Sequence, residues 1–191
     1  IASGDIFVDD TALKRTLTED FGAKSFVISE KMGKLFWLSE RDGQFDIFEY
    51  DIENGKCNRV TDGDCCVRQL LHLDAEKHLL YYSASGREPG VNLYQRYIYS
   101  ADLDSGEIKL MCYEKGDHNA YFAPEGAYFV ATISAFDNPP AHRIFDITDG
   151  QAIGTICSWQ SINTIISCGL SKFLPCCAIV IRKVPISVLN L

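Results

Sequence analysis

Asp51-Ile52-Glu53-Asn54-Gly55-Lys56 returns in altered form as Asp102-Leu103-Asp104-Ser105-Gly106-Glu107, and again as Asp146-Ile147-Thr148-Asp149-Gly150-Gln151. The copies start 51 and 44 residues apart. Each is a D-x-x-x-G turn with a strand-like segment before it. The glycine supplies the positive φ of a tight hairpin, and an Asn or Asp beside it tolerates left-handed geometry. A repeat at this period decides the architecture, so everything else is read outward from it.

A second element recurs between the turns. It is an apolar strand, a short polar turn and another apolar strand. The copies are residues 25–39 (SFVISEKMGKLFWLS), 70–84 (LLHLDAEKHLLYYSA) and 120–133 (AYFAPEGAYFVATI), with turns at 31–34, 75–78 and 124–127. Each unit then holds about four short strands in about 45 residues, the size of a propeller blade. The expected fold is all-β, a partial β-propeller of about three to four four-stranded blades. Residues 24–155 would hold about three blades, split at 24–66, 67–116 and 117–155. Residues 1–23 would be the remnant of a preceding blade, with a strand at 5–8. Three blades leave two sheet faces open, so the chain by itself should be marginally stable. Helical readings fail. Leu35-Phe36-Trp37-Leu38 and Leu79-Leu80-Tyr81-Tyr82 are short, aromatic and bounded by turns, and no segment keeps a 3.6-residue period.

The composition agrees. Of 191 residues, 47% are hydrophobic, 12% aromatic and 23% charged, a globular balance rich in strand-forming side chains. The net charge of -8 argues against a nucleic-acid partner. The charge is uneven. Residues 156–191 contain no Asp or Glu and carry half of the 8 cysteines, Cys157, Cys168, Cys176 and Cys177. That break marks 156–191 as a divergent, Cys-rich apolar tail, expected to be foreign to the fold. A membrane helix over 153–171 is weakened by Gln160, Asn163 and its many Ser and Thr residues. The chain starts at Ile1 with no basic-then-apolar leader, which suggests the edge of a fragment.

Four blocks of sequence resemble the N-terminal β-propeller of the dipeptidyl peptidase IV family. They are Phe36-Trp37-Leu38-Ser39-Glu40-Arg41-Asp42-Gly43 followed by Ile47-Phe48-Glu49-Tyr50-Asp51; Tyr81-Tyr82-Ser83-Ala84-Ser85-Gly86-Arg87-Glu88-Pro89-Gly90 with Asn92-Leu93-Tyr94; residues 118–129 (HNAYFAPEGAYF); and Asp137-Asn138-Pro139-Pro140. They stand in the family's order across about residues 24–155. The resemblance implies an eight-bladed propeller beside an α/β-hydrolase domain, in enzymes that release N-terminal dipeptides with proline or alanine second. The propeller would gate access and position peptide substrates. The partners implied are the parent's hydrolase domain, peptide substrates and a second copy in a homodimer. The location implied is either membrane-anchored and extracellular or cytosolic. Two alternatives stay open: a catalytically silent, binding member of the family, and an unrelated propeller of the TolB or WD class.

The chemistry of the family is absent from the chain. The nucleophile elbow G-x-S-x-G does not occur. The family's paired-glutamate amine clamp has no match, since Asp9-Asp10 and Glu19-Asp20 stand in other contexts. No catalytic, substrate-binding or metal residue is therefore assigned, and no cofactor is expected. The local temptations read as structure. Glu40-Arg41-Asp42 is a solvated turn. Cys65-Cys66 with His72 lacks zinc spacing, because neighbours on a strand face apart. Asp117-His118 faces apart for the same reason and suits a turn or an edge. Gly86–Gly90 lacks the ending of a phosphate loop. Cys176-Cys177 is a weak acylation site. Cys57 is expected opposite Phe48 and Cys112 has no evident mate, so no disulfide fixes the compartment.

Overall fold

The structure, a computed structural model, describes residues 25–62, 64–124 and 126–157. The strand expected at 5–8, the acylation site at Cys176-Cys177 and all of the tail beyond Cys157 lie outside the described residues, as does most of the 153–171 segment. Twelve strands follow one another: β1(Phe26–Ser29), β2(Lys34–Ser39), β3(Asp46–Asp51), β4(Cys57–Arg59), β5(Cys66–Asp74), β6(Leu79–Ser85), β7(Arg96–Asp102), β8(Ile108–Leu110), β9(Asp117–Phe122), β10(Tyr128–Ala135), β11(Asn138–Asp146) and β12(Ala152–Cys157). They form three four-stranded sheets, β1-β2-β3-β4, β5-β6-β7-β8 and β9-β10-β11-β12, with every neighbour antiparallel. This is an all-β partial propeller, and each sheet is one blade.

The repeated turn closes the outer hairpin of every blade in the same way. In each copy the glycine N–H donates to the carbonyl of the leading aspartate, Gly55 to Asp51, Gly106 to Asp102 and Gly150 to Asp146. The aspartate N–H donates across the hairpin to Lys56, Glu107 or Gln151. The side chain adds a second lock, because Asp51 Oδ1 accepts from the N–H of Glu53 and of Asn54. Asp102 does the same with Asp104 and Ser105. The three glycines have φ of 72, 75 and 71, a region that a Cβ disfavours.

Successive strands alternate their side chains between two faces, and that alternation makes the blades stack. Phe36, Leu38 and Ile47 of blade 1 pack into one cluster with Val67, Leu70, Leu80, Tyr82, Tyr97 and Tyr99 of blade 2. Tyr81 and Ile98, on the other face of blade 2, pack with Phe129, Ala131, Ile133, Phe145 and Ile147 of blade 3. Each aromatic buried this way contributes about 2–3 kcal/mol. Blade 1 also buries its opposite face, where Leu35, Trp37 and Phe48 form a third cluster. The far face of blade 3 is different. Val130, Thr132 and Ile144 are only half-buried and Tyr121 is exposed.

One register expectation is corrected. Cys57 pairs with Tyr50, and Arg59 takes the place opposite Phe48. The strand resumes right after the turn, so its first residue meets the residue just before Asp51. Among the described residues no helix is long and apolar enough to cross a membrane.

Candidate functional site

The chain direction gives the blades two unlike ends. The β1–β2, β5–β6 and β9–β10 turns share one end with the three Asp-to-Gly turns, and backbone bonds from Ile52 to Gly33 and from Leu103 to His78 join neighbouring turns there. The opposite end collects the other connections: residues 40–45, 86–95 and 136–137 within blades, and 60–65 and 111–116 between blades. Leu93, Tyr94, Tyr113 and Phe136 are exposed at this loop end. Its charged side chains are almost all engaged.

In blade 1 the Asp46 carboxylate is 0% exposed. It accepts from Arg59 Nη2 and from Thr61 Oγ1 at 2.6 Å, and Thr61 Oγ1 accepts in turn from the Ile47 N–H. A buried carboxylate needs such partners to stay ionised at tolerable cost. Arg41 sits in the turn, but its side chain reaches out of it. Its guanidinium lies 4.1 Å from the Phe48 ring centroid and 5.4 Å from that of Trp37, covering the aromatic face of blade 1. Arg41 and Asp42 are exposed in the turn, as read from the sequence, and the Arg41 side chain packs on those rings as well.

Blade 2 is tied to the link before it by Arg87 Nη1 and Asp62 Oδ1 at 2.7 Å. Their hydrogen bond holds Asp62 below the usual carboxylate range and Arg87 above its usual value. Glu88 accepts from Tyr99 Oη at 3.1 Å. Between blades 2 and 3, Arg96 grips Asp117 with Nε at 2.9 Å and Nη2 at 2.6 Å, and its backbone N–H bonds the same carboxylate. Burial alone would raise Asp117, but these bonds overcome it and its acidity is increased. Arg143 Nη1 lies 3.1 Å from Glu114 Oε1.

The residues singled out from sequence separate. Cys65 is buried near Arg87 and Asp62, and burial pushes its thiol up to about 11. His72 lies at the turn end, its ring stacked on Phe122 at 5.6 Å. His118 lies on the edge strand of blade 3, as the sequence suggested, but it is not solvated. It is 1% exposed, on β9. Its Nδ1 is 2.9 Å from the Arg96 carbonyl and its Nε2 is 3.3 Å from Cys112 Sγ. A carbonyl only accepts, so Nδ1 carries the proton and the thiol donates to Nε2. Sequence had left Cys112 without a mate, and a six-residue spacing across a link gives no periodic signal.

Two pairs invite comparison with a nucleophile and its base. Cys112 is 0% exposed and burial pushes its thiol up to about 11, the reverse of an activated cysteine. Thr132 Oγ1 lies 2.9 Å from His142 Nδ1 on blade 3, but among the described residues no carboxylate bonds the imidazole to orient it. At the turn end a cavity of about 200 Å³ lies between blades 2 and 3, lined by Leu79, Tyr81, Asp102, Lys109, Met111 and Thr148. Of its two acids, Asp102 already serves the turn N–H groups and Glu107 is exposed at the rim. The described residues therefore form a stapled scaffold with one decorated end.

Stacked four-stranded antiparallel blades define a partial β-propeller. Residues 11–140 match the family described as Dipeptidyl peptidase IV (DPP IV) N-terminal region, and the chain belongs to that family. It is 23% identical over 128 residues to dipeptidyl peptidase 4 of Trichophyton equinum, covering 65% of this chain and 16% of that protein. With the Trichophyton rubrum dipeptidyl peptidase 4 it shares 22% over 116 residues, covering 60% and 14%. The crystal structure of Porphyromonas gingivalis dipeptidyl peptidase 4 has the same fold, with a TM-score of 0.63 at 22% identity, over 74% of this chain and 19% of that one. The chain thus spans less than a fifth of each of these three proteins.

Proposed function

We propose that this segment is the access-controlling and substrate-positioning part of a dipeptidyl peptidase, and that it cleaves nothing by itself. Bond cleavage belongs to an α/β-hydrolase domain of the longer protein, which the loop end would face, with peptide substrates passing between the two. The observation that carries this reading is the contrast at the loop end. Leu93, Tyr94, Tyr113 and Phe136 stand in solvent there, while the nearby thiol and imidazole, Cys112 and His118, are sealed inside. A surface with exposed apolar contacts, whose thiol–imidazole pair is buried, suits docking better than acyl transfer.

The test is direct. The chain is incubated with a Gly-Pro chromogenic peptide, with and without a serine-directed inhibitor. No turnover above background is expected. Turnover by the chain alone that the inhibitor abolishes would overturn the proposal.

A further inference from the structure

We propose that Cys112 and His118 form an acid-released latch holding blade 3 to blade 2 at the loop end. The inference rests on the fold and not on the proposed function. The latch joins three elements. Cys112 lies on the link between the blades, His118 on β9 of blade 3, and the Arg96 carbonyl on β7 of blade 2. Both ring nitrogens are committed, one as donor across the seam and one as acceptor from the thiol.

A second ring proton has no place to go. It would enter at Nε2 and point at the thiol hydrogen, so the thiol must turn and offer sulfur, a weak acceptor. The groups facing His118 are the Arg96 carbonyl and guanidinium and the Tyr97 ring from β7, Cys112 from the link, and Asp117 beside it on β9. Asp117 is the one carboxylate among them, and Arg96 occupies both of its oxygens. Glu114 and Arg143 face Cys112 and neutralise each other. An imidazolium here is nearly dry and lacks a free counter-ion, whereas in an opened seam water solvates it. Burial accordingly depresses the basicity of His118.

Neighbouring ties do not respond in the same range. Asp117 is held below the usual carboxylate range, so its grip on Arg96 survives mild acid. His72 sits at the other end of the same seam, stacked on Phe122 and tilted against Tyr81. Burial makes His72 less basic too, with Asp74 offsetting part of the effect, but among the described residues its ring holds no hydrogen bond across the seam for a proton to break. The charged groups around Cys65, between blades 1 and 2, are Arg87, Asp62 and Asp46 and include no histidine. Acid should therefore open one seam at one end, and the signature is exposure of Cys112.

The experiment uses the full chain and a pyridyl disulfide, which labels thiols in acid, with site assignment by peptide mass spectrometry. Rates are divided by that of a free thiol at each pH. From about pH 7.5 to about pH 5 the Cys112 rate should rise about tenfold or more, and Cys65 by less than about twofold. His118→Gln keeps an acceptor for the thiol and cannot titrate, so its Cys112 profile should be flat. In the unmodified chain, the His118 ring followed by NMR should protonate at the same midpoint as the Cys112 rise, which tests the latch even if the variant does not fold. A flat Cys112 profile, parallel rises at Cys112 and Cys65, a rise that persists in folded His118→Gln, or midpoints more than about one pH unit apart would each overturn the latch.

Discussion

Gly150 and Gly106 occupy the same place in successive turns and have nearly the same φ, 71 and 75. Their surroundings differ. A Cβ at Gly106 would meet nothing within 4 Å, whereas one at Gly150 would overlap the carbonyl of Met111, in the link that leaves blade 2. The third turn is thus pressed against its neighbour, and Lys109 Nζ reaches the Thr148 carbonyl close by. Gly106→Ala should cost about 1 kcal/mol, the strain of positive φ alone. Gly150→Ala adds a backbone clash, and the total should exceed about 2 kcal/mol. Urea unfolding of the two variants checks the difference. Equal losses would mean that the contact between turn and link is absent in solution. Asp46 makes a related point. The sequence shows an ordinary Asp opening a strand, and only its position between Arg59 and Thr61 makes it a buried, fully engaged charge.

Each hairpin turn is built by one side chain serving its own backbone. The N–H of Asn54 and of Ser105 is the largest influence lowering Asp51 and Asp102, and the Thr148 hydroxyl is the largest on Asp146. Hydrogen bonds to the charged form favour it, so the folded turn prefers the carboxylate more than the unfolded chain does. Carboxylate titration by NMR should place all three midpoints below 3.8. A midpoint at or above that value would mean that the turn lock is not formed. The turn's support for folding is present above the unfolded value and lost as pH falls through the folded one. These bonds are local, which is why the three turns were legible in the sequence and their hydrogen bonds repeat from blade to blade.

Across the molecule, acid should act in two stages. His72 and His118 are both made less basic by burial. The unfolded state then binds more protons than the folded state as pH drops below about 6.5. Stability is fully present above that value, falls first as the histidines' unfolded forms charge, and levels off below their folded values. A second loss begins near the usual Asp value of 3.8, where Asp62 and Asp117 hold protons less readily in the fold. Urea midpoints measured from about pH 8 to about pH 3 should show both declines. Stability that rises as pH falls from about 7 to about 5.5 would mean that the histidines are more basic in the fold than out of it. The open far face of blade 3 belongs to the same scale. Its half-buried Val130 and Ile144 lack the cover that Tyr81 and Ile98 receive on blade 2.

The strands, the three turns and the blade period could be read from the order of residues alone, because they depend on side chains acting within a few residues of their own backbone. The same stretch carried the resemblance that the match over residues 11–140 bears out at the level of the family. Which distant groups meet was settled by the packing of the sheets. Arg96 and Asp117 are 21 residues apart, Asp46 and Thr61 are 15 apart, and Cys112 finds His118 across a link. The Arg41 side chain reaches out of its turn to the rings of Trp37 and Phe48. Such pairs follow from which sheets become neighbours and how their faces register, and no local pattern of residues encodes that.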